Sequence, residues 1–212
     1  PGMRRIRIRE RKPVGGSTRW RGSAGMRKAV LILMIILMTA CATSQAVRRT
    51  SPTSPTWQLL PPSSLGTTRA ANQRLRAAYA DQEISLDFAV SVTADRITVI
   101  GLVPAGPRMF TVSYDGHQMD AQASHEVPAA LEPGRLLNDL QLALWPRQAL
   151  ERAFEGSRWR LTEPDERTRR LLRDGRLVAE VHYTTADPWT GRTWLVNFDG
   201  GYAITVDSQS LE

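Results

Sequence analysis

The chain has a single cysteine, Cys41, so no disulfide can close within it and a packed core must supply its stability in any redox compartment. It has three histidines, His117, His125 and His182, and none sits at a useful metal-ligand spacing. Neither the nucleophile elbow G-x-S-x-G nor the zinc signature HExxH occurs. No metal or cofactor is expected, and no catalytic residue is assigned. Basic charge is also scarce once its distribution is read. Of the 28 Arg and Lys, ten precede Cys41 beside one acid, Glu10. The remainder carries 18 Arg against 20 acids, a net −2 in a chain that totals +7. A near-neutral domain has no field to steer nucleic acid, so no polynucleotide partner is expected.

What is present starts at Met26. Arg27 and Lys28 precede an uninterrupted apolar run, Ala29 to Met38, and Thr39-Ala40 stands before Cys41. That is the order of a secretory signal: positive start, apolar middle, small-residue cleavage site. The run is about ten residues, while a permanent span takes roughly twenty, so residues 26–40 read as a removable signal. No second apolar run is long enough to span a bilayer. Met38-Thr39-Ala40-Cys41 resembles the lipobox of bacterial lipoproteins, with Met where Leu is usual. The resemblance implies a diacylglycerol on the Cys41 sulfur and an acyl chain such as palmitate on its new amino group. One acyl chain holds marginally, at about 0.8 kcal/mol per buried methylene, whereas two or three hold firmly. Ala42 is compatible with transfer to the outer membrane, with the periplasmic face as the default side. An ordinary signal followed by an unrelated cysteine is the alternative.

Residues 1–25 are Arg-rich and lack apolar periodicity; they read as a disordered upstream extension, with Met26 the initiator. Residues 41–64 are rich in Ser, Thr and Pro and read as a flexible tether, with Trp57-Gln-Leu-Leu as a first strand or docking contact. Sixteen residues from Cys41 to Trp57 reach at most about 50 Å extended and roughly 20–25 Å as a coil. Residues 65–212 then form one domain, long enough to bury a sizeable core.

Within that domain Ile84, Leu86, Phe88, Val90 and Val92 alternate with small or polar residues, the period of a half-buried strand. Further strands are expected over 96–103, 109–114 and 117–124, with Asp115-Gly116 as a hairpin turn, and 73–79 adds one before them. The period then changes. Leu136, Leu137, Leu140 and Leu144 recur at helical spacing with Asn138, Asp139 and Gln141 opposite; Pro146 interrupts, and 147–154 continues as a second helix. Strands resume over 157–162, 168–173, 176–185, 193–198 and 202–206. The fold class is α+β: a curved antiparallel sheet, an unclosed barrel, with a central helical pair on its concave face. A flat sheet with flush helices and a solid core is the alternative.

These residues also resemble a family. Gly101-Leu-Val-Pro with Gly106, Arg108-Met-Phe, Tyr114-Asp-Gly116, the block Leu136 to Pro146, Arg167 and the Tyr202 strand are similar to an uncharacterised bacterial lipoprotein family, the domain of unknown function 3261. The resemblance implies an association with lipid traffic, since its members resemble proteins encoded near aryl-polyene lipid synthesis and export genes. The strand–helix–strand order is similar to that of the carriers LolA and LolB, whose unclosed barrel holds acyl chains. That likeness concerns architecture alone.

The candidate ligand site is accordingly apolar: Phe88, Ile100 and Phe110 from strands, with Leu137, Leu140, Leu144 and Trp145 from the helix. An acyl-lipid ligand and envelope transport proteins are the expected partners, besides the membrane itself through Cys41. The competing readings are a structural or assembly lipoprotein docking an envelope partner and, weakest, an esterase-like hydrolase. Asp165-Glu166, Asp115 and Asp120 read as charged turns, and Arg167 to Arg170 as a solvated face or blunted edge. Leu102-Val103-Pro104 offers exposed apolar residues that could touch a bilayer.

Overall fold

Alternating apolar residues do form strands here, and short turns fold them back on one another. The computed structural model describes residues 57–79, 82–104, 106–123 and 131–211, all within the unit Thr50–Glu212. The signal, Cys41, most of the tether and His125 lie outside the described residues. A first meander runs β1 (Arg69–Tyr79), β2 (Gln82–Val92), β3 (Ile97–Leu102), β4 (Arg108–Tyr114) and β5 (Met119–Ala123). Helices α1 (Pro133–Leu144) and α2 (Arg147–Phe154) follow. A second meander then runs β6 (Trp159–Asp165), β7 (Thr168–Arg173), β8 (Arg176–Tyr183), β9 (Gly191–Asn197) and β10 (Tyr202–Ser210). At the β7–β8 turn Asp174 and Gly175 both have positive φ, 52° and 79°, as a tight primed hairpin demands.

The two meanders join through their first and last strands. The sheet order is β5-β4-β3-β2-β1-β10-β9-β8-β7-β6, antiparallel throughout, with β1 and β10 in register from Ala71↔Ser210 to Tyr79↔Tyr202. The edges β5 and β6 do not pair with each other, so the curved sheet stays unclosed. The helical pair sits in the β5–β6 connection and covers the inner face. This is the α+β architecture expected from the strand–helix–strand order.

Both helices keep the bounds expected from periodicity. Glu132 caps α1 by accepting from the backbone N–H of Gly134 (3.2 Å) and Arg135 (3.0 Å), and Pro133 occupies its first position. Pro146 stops it by forcing Trp145 into extended backbone. The expected polar face of α1 is not solvated. Asn138, Asp139 and Gln141 are buried along with the leucines. Apolar flanks alone would not do this; partners from distant segments satisfy each polar group.

One of those segments is residues 57–65, which composition placed largely in the tether. Trp57, Leu60 and Leu65 are buried instead, ending in a 3-10 turn at Pro62–Leu65. Gln141, fully buried, donates to the Leu60 carbonyl (2.8 Å) and accepts from the Leu60 N–H (2.9 Å). Asn138 donates to the Trp57 carbonyl (3.1 Å), and the Trp145 indole N–H to Ser64 Oγ (2.7 Å). The segment is a strap along α1, and the packed domain begins by Trp57.

Across the sheet, Phe88, Gly101 and Phe110 are register neighbours on β2, β3 and β4. The Phe110 ring lies over Gly101, where a Cβ would stand 2.4 Å from it, and meets Phe88 edge-on at 5.6 Å between centroids. Glycine is required there by close approach.

Candidate functional site

Helix α1 crosses the middle of the inner face, above β1, β2, β9 and β10. Leu136, Leu140 and Leu144 from the helix face Leu75, Phe88, Leu195, Ile204 and Val206 from the strands. Between them runs an apolar seam of about 50 Å³. Its polar groups stand at its two ends, except Thr193, which lies opposite Val206 along its wall. At one, Gln73 donates to Ser208 Oγ (3.1 Å). At the other, six residues along β10, the Tyr202 hydroxyl donates to Asp139 of α1. Along β10 the lining runs from Ile204 to Ser208, four residues of strand or roughly 13 Å.

The Asp139 end is a closed polar knot. Asn197 Nδ2 donates to the Tyr202 hydroxyl oxygen (2.9 Å) and reaches Asp139 Oδ1 at 3.4 Å. The Arg135 guanidinium lies 5.6 Å from the centre of the Tyr202 ring. Burial pushes the Asp139 carboxyl up to about 6, against the hydrogen bonds from Tyr202 and Asn197 and the charge of Arg135, all of which favour its ionised form. Burial and the neighbouring Asp139 push the Tyr202 hydroxyl well above its ordinary range, so it stays a donor. Gly200 is part of the knot: a Cβ there would stand 2.3 Å from the Tyr202 ring.

The C-terminal end of α1 is held through its carbonyls. Arg169, only 8% exposed, donates to the carbonyls of Leu142 (2.7 Å) and Trp145 (2.9 Å) and pairs with Glu163 (2.8 Å). The Tyr183 hydroxyl donates to the Ala143 carbonyl (2.8 Å), and burial raises that hydroxyl to about 12. These side chains satisfy carbonyls that every helix end leaves open. The expected solvated arginine run therefore divides: Arg167 donates to the Thr184 carbonyl, Arg169 is buried, and Arg170 pairs with Glu180 at the surface.

The expected ligand residues scatter. Phe88, Leu140 and Leu144 line the seam. Leu137 and Trp145 are buried away from it, the latter against the strap, and Phe110 lies behind Phe88. Ile100 is on the outer face: Ile97, Val99 and Gly101 take the inward phase, and Ile100 aligns with half-buried Ala89 and Thr111. Composition did not mark Leu75, Leu136, Leu195, Ile204 or Val206, although the alternation Tyr202, Ile204, Val206 carried the signal for β10. Of the expected exposed trio, Leu102 and Val103 are half-buried and only Pro104 is exposed.

Elsewhere, Thr168 Oγ1, His182 and Glu180 form a hydroxyl–imidazole–carboxylate line on the outer face, at 3.2 and 2.6 Å. Glu180 is also taken by Arg170, which with burial opposing it holds the carboxyl below the usual range. Thr168 is buried and bonded toward Asp165 as well. Asp165 and Asp115 each fix a turn by accepting backbone N–H groups, as charged turn residues do.

Residues 70–210 match the family profile described as "Protein of unknown function (DUF3261)", which takes in both meanders and both helices. The chain belongs to the DUF3261 family. Both the seam and the knot of this DUF3261 domain fall inside the matched region. Comparison with curated proteins gives no match. Among solved structures, the crystal structure of a LolA superfamily protein from Nitrosomonas europaea is similar at 13% identity and a TM-score of 0.40, over 67% of this chain and 84% of that one. So distant a likeness leaves the DUF3261 site to be read from its own residues.

Proposed function

We propose that this DUF3261 protein is a lipid-anchored protein of the cell envelope whose domain binds or hands on an acylated molecule, without catalysing a reaction. Cys41 would carry the anchor, holding the domain at the periplasmic face of the outer membrane. The acyl chain would lie in the seam beneath α1. The observation that supports this is the seam's lining: leucine, isoleucine, valine and phenylalanine along roughly 13 Å of β10, with Thr193 the one polar residue between its polar ends. Binding sites for such ligands are apolar with a few polar groups that fix orientation. At about 50 Å³ the seam is closed at rest, far below the ~300 Å³ of a typical ligand pocket. Uptake therefore requires α1 to move off the sheet, and the side-chain ties at its middle and its C-terminal end define what must loosen. The family resemblance makes aryl-polyene-type lipids the first ligands to try.

The full chain carrying Cys41→Ser, titrated with a fluorescent fatty-acyl probe, tests the seam. Saturable binding that Leu140→Trp abolishes is the expected result. Binding indifferent to Leu140→Trp would place the probe elsewhere. A second reading, a structural lipoprotein docking an envelope partner, is favoured by the seam's small resting volume. A chain that takes up no acyl probe would make that reading the better one.

A further inference from the structure

The outer face of the same four strands carries a different kind of site. An open groove of about 880 Å³ crosses β2, β1, β10 and β9. Its floor is one transverse register row: Asp87 opposite Arg74, Arg74 opposite Asp207, and Asp207 opposite Arg192. The charges alternate along the row and are paired. Arg74 Nε meets Asp87 at 2.9 Å, Arg192 Nε meets Asp207 at 2.5 Å, and Arg76 adds a contact to Asp207 at 2.8 Å. Arg192, with burial opposing it, holds the Asp207 carboxyl below the usual carboxylate range. Asn72 and Gln209 continue the polar lining on one side. On the other, Trp194 is 40% exposed, with the Arg192 guanidinium 6.0 Å from its ring centre.

Three properties narrow the ligand. The row of four sums to zero charge and Arg76 beside it leaves only +1, so it offers a polyanion little counter-field. The groove's charged row interrupts the apolar patches that Ala89, Leu102 and Trp194 give the lining, so it offers an acyl chain no continuous dry surface. Its guanidinium and carboxylate groups are planar and held by one another, presenting fixed donors and acceptors side by side. A ligand that matches must both donate and accept at short intervals without net charge, and hydroxyl groups do this. It must also present an apolar face to Trp194, as the C–H face of a sugar ring does. Four strands about 4.8 Å apart span roughly 14 Å, which is the length of about three sugar rings.

We infer that the groove over Asp87, Arg74, Asp207 and Arg192, with Trp194 as its stacking platform, binds a neutral oligosaccharide chain. The site is independent of the acyl reading, because it uses the opposite face of the sheet. Both ligands can be held at once, and failure of either leaves the other standing.

Isothermal titration of the full chain with maltohexaose, cellohexaose and chitohexaose tests this, with a heparin hexasaccharide as the polyanion. At least one neutral sugar binds, more tightly than heparin. Trp194→Ala weakens it roughly tenfold or more, about 1.4 kcal/mol, while thermal unfolding is little changed. Should that variant fail to fold, Trp194→Leu keeps apolar bulk without the flat ring and is expected to show the same loss. No heat from any neutral sugar, preference for heparin, or binding unchanged by loss of the indole would overturn the assignment.

Discussion

The Tyr202 hydroxyl donates to the buried Asp139 carboxyl, tying the first residue of the last strand to the middle of the central helix. This bond closes one end of the seam, and the carboxyl it holds sits where an opening α1 would have to part from the sheet.

The pH dependence of that tie has a definite sign. Burial raises the folded carboxyl to about 6 from an ordinary value near 3.8, so the folded chain holds its proton more tightly than the unfolded one. The stability Asp139 contributes is full below pH 4 and is lost as pH rises through about 6, amounting to about 3 kcal/mol. Urea unfolding of the wild type and Asp139→Asn between pH 4 and 7 measures it by difference, since the surface acids are common to both. The wild type should lose ground to the variant across that range. A flat difference would mean that the carboxyl is not raised.

Arg169→Ala leaves the Leu142 and Trp145 carbonyls and Glu163 without their guanidinium, and should cost about 3 kcal/mol in chemical denaturation. Arg169→Lys should recover little, because one ammonium cannot serve two carbonyls and a carboxylate in a planar fork. Full rescue by lysine would show that charge alone suffices.

Gly101→Ala drives a methyl group into the Phe110 ring and should cost about 1–3 kcal/mol. The same substitution in a Phe110→Leu background should cost much less, a coupling that a double-mutant cycle reads directly. Additive costs would place the strain in the backbone.

Gln141→Leu removes both hydrogen bonds that hold Leu60 and should lower stability by about 2 kcal/mol. Hydrogen exchange should speed at the Leu60 amide while the β1–β10 ladder stays protected. Equal loss of protection throughout would mean that the strap and sheet open as one unit.

Much of this architecture was legible in the sequence. The helices keep their bounds because Pro133 and Pro146 act locally, and the β4–β5 hairpin announces itself in Asp115-Gly116. The phase of Ile100 was harder, since Val99 and Ile100 are adjacent and only one of them can face inward. Asn138, Asp139 and Gln141 looked like a wet face because their partners, Trp57, Tyr202 and Leu60, lie 63 to 81 residues away. Arg169 was hidden in the same way within a run that is otherwise at the surface. Local pattern fixes elements, whereas burial of a polar group depends on which distant segment arrives to satisfy it.

The most direct test is native mass spectrometry of the full chain with Cys41→Ser, which carries no anchor acyl groups, after expression in its own envelope. A stoichiometric co-purifying acyl species, lost in Leu140→Trp, is the predicted result and would name the ligand class. A clean apo mass that stays unchanged on adding acyl probes would contradict the proposed lipid-binding seam.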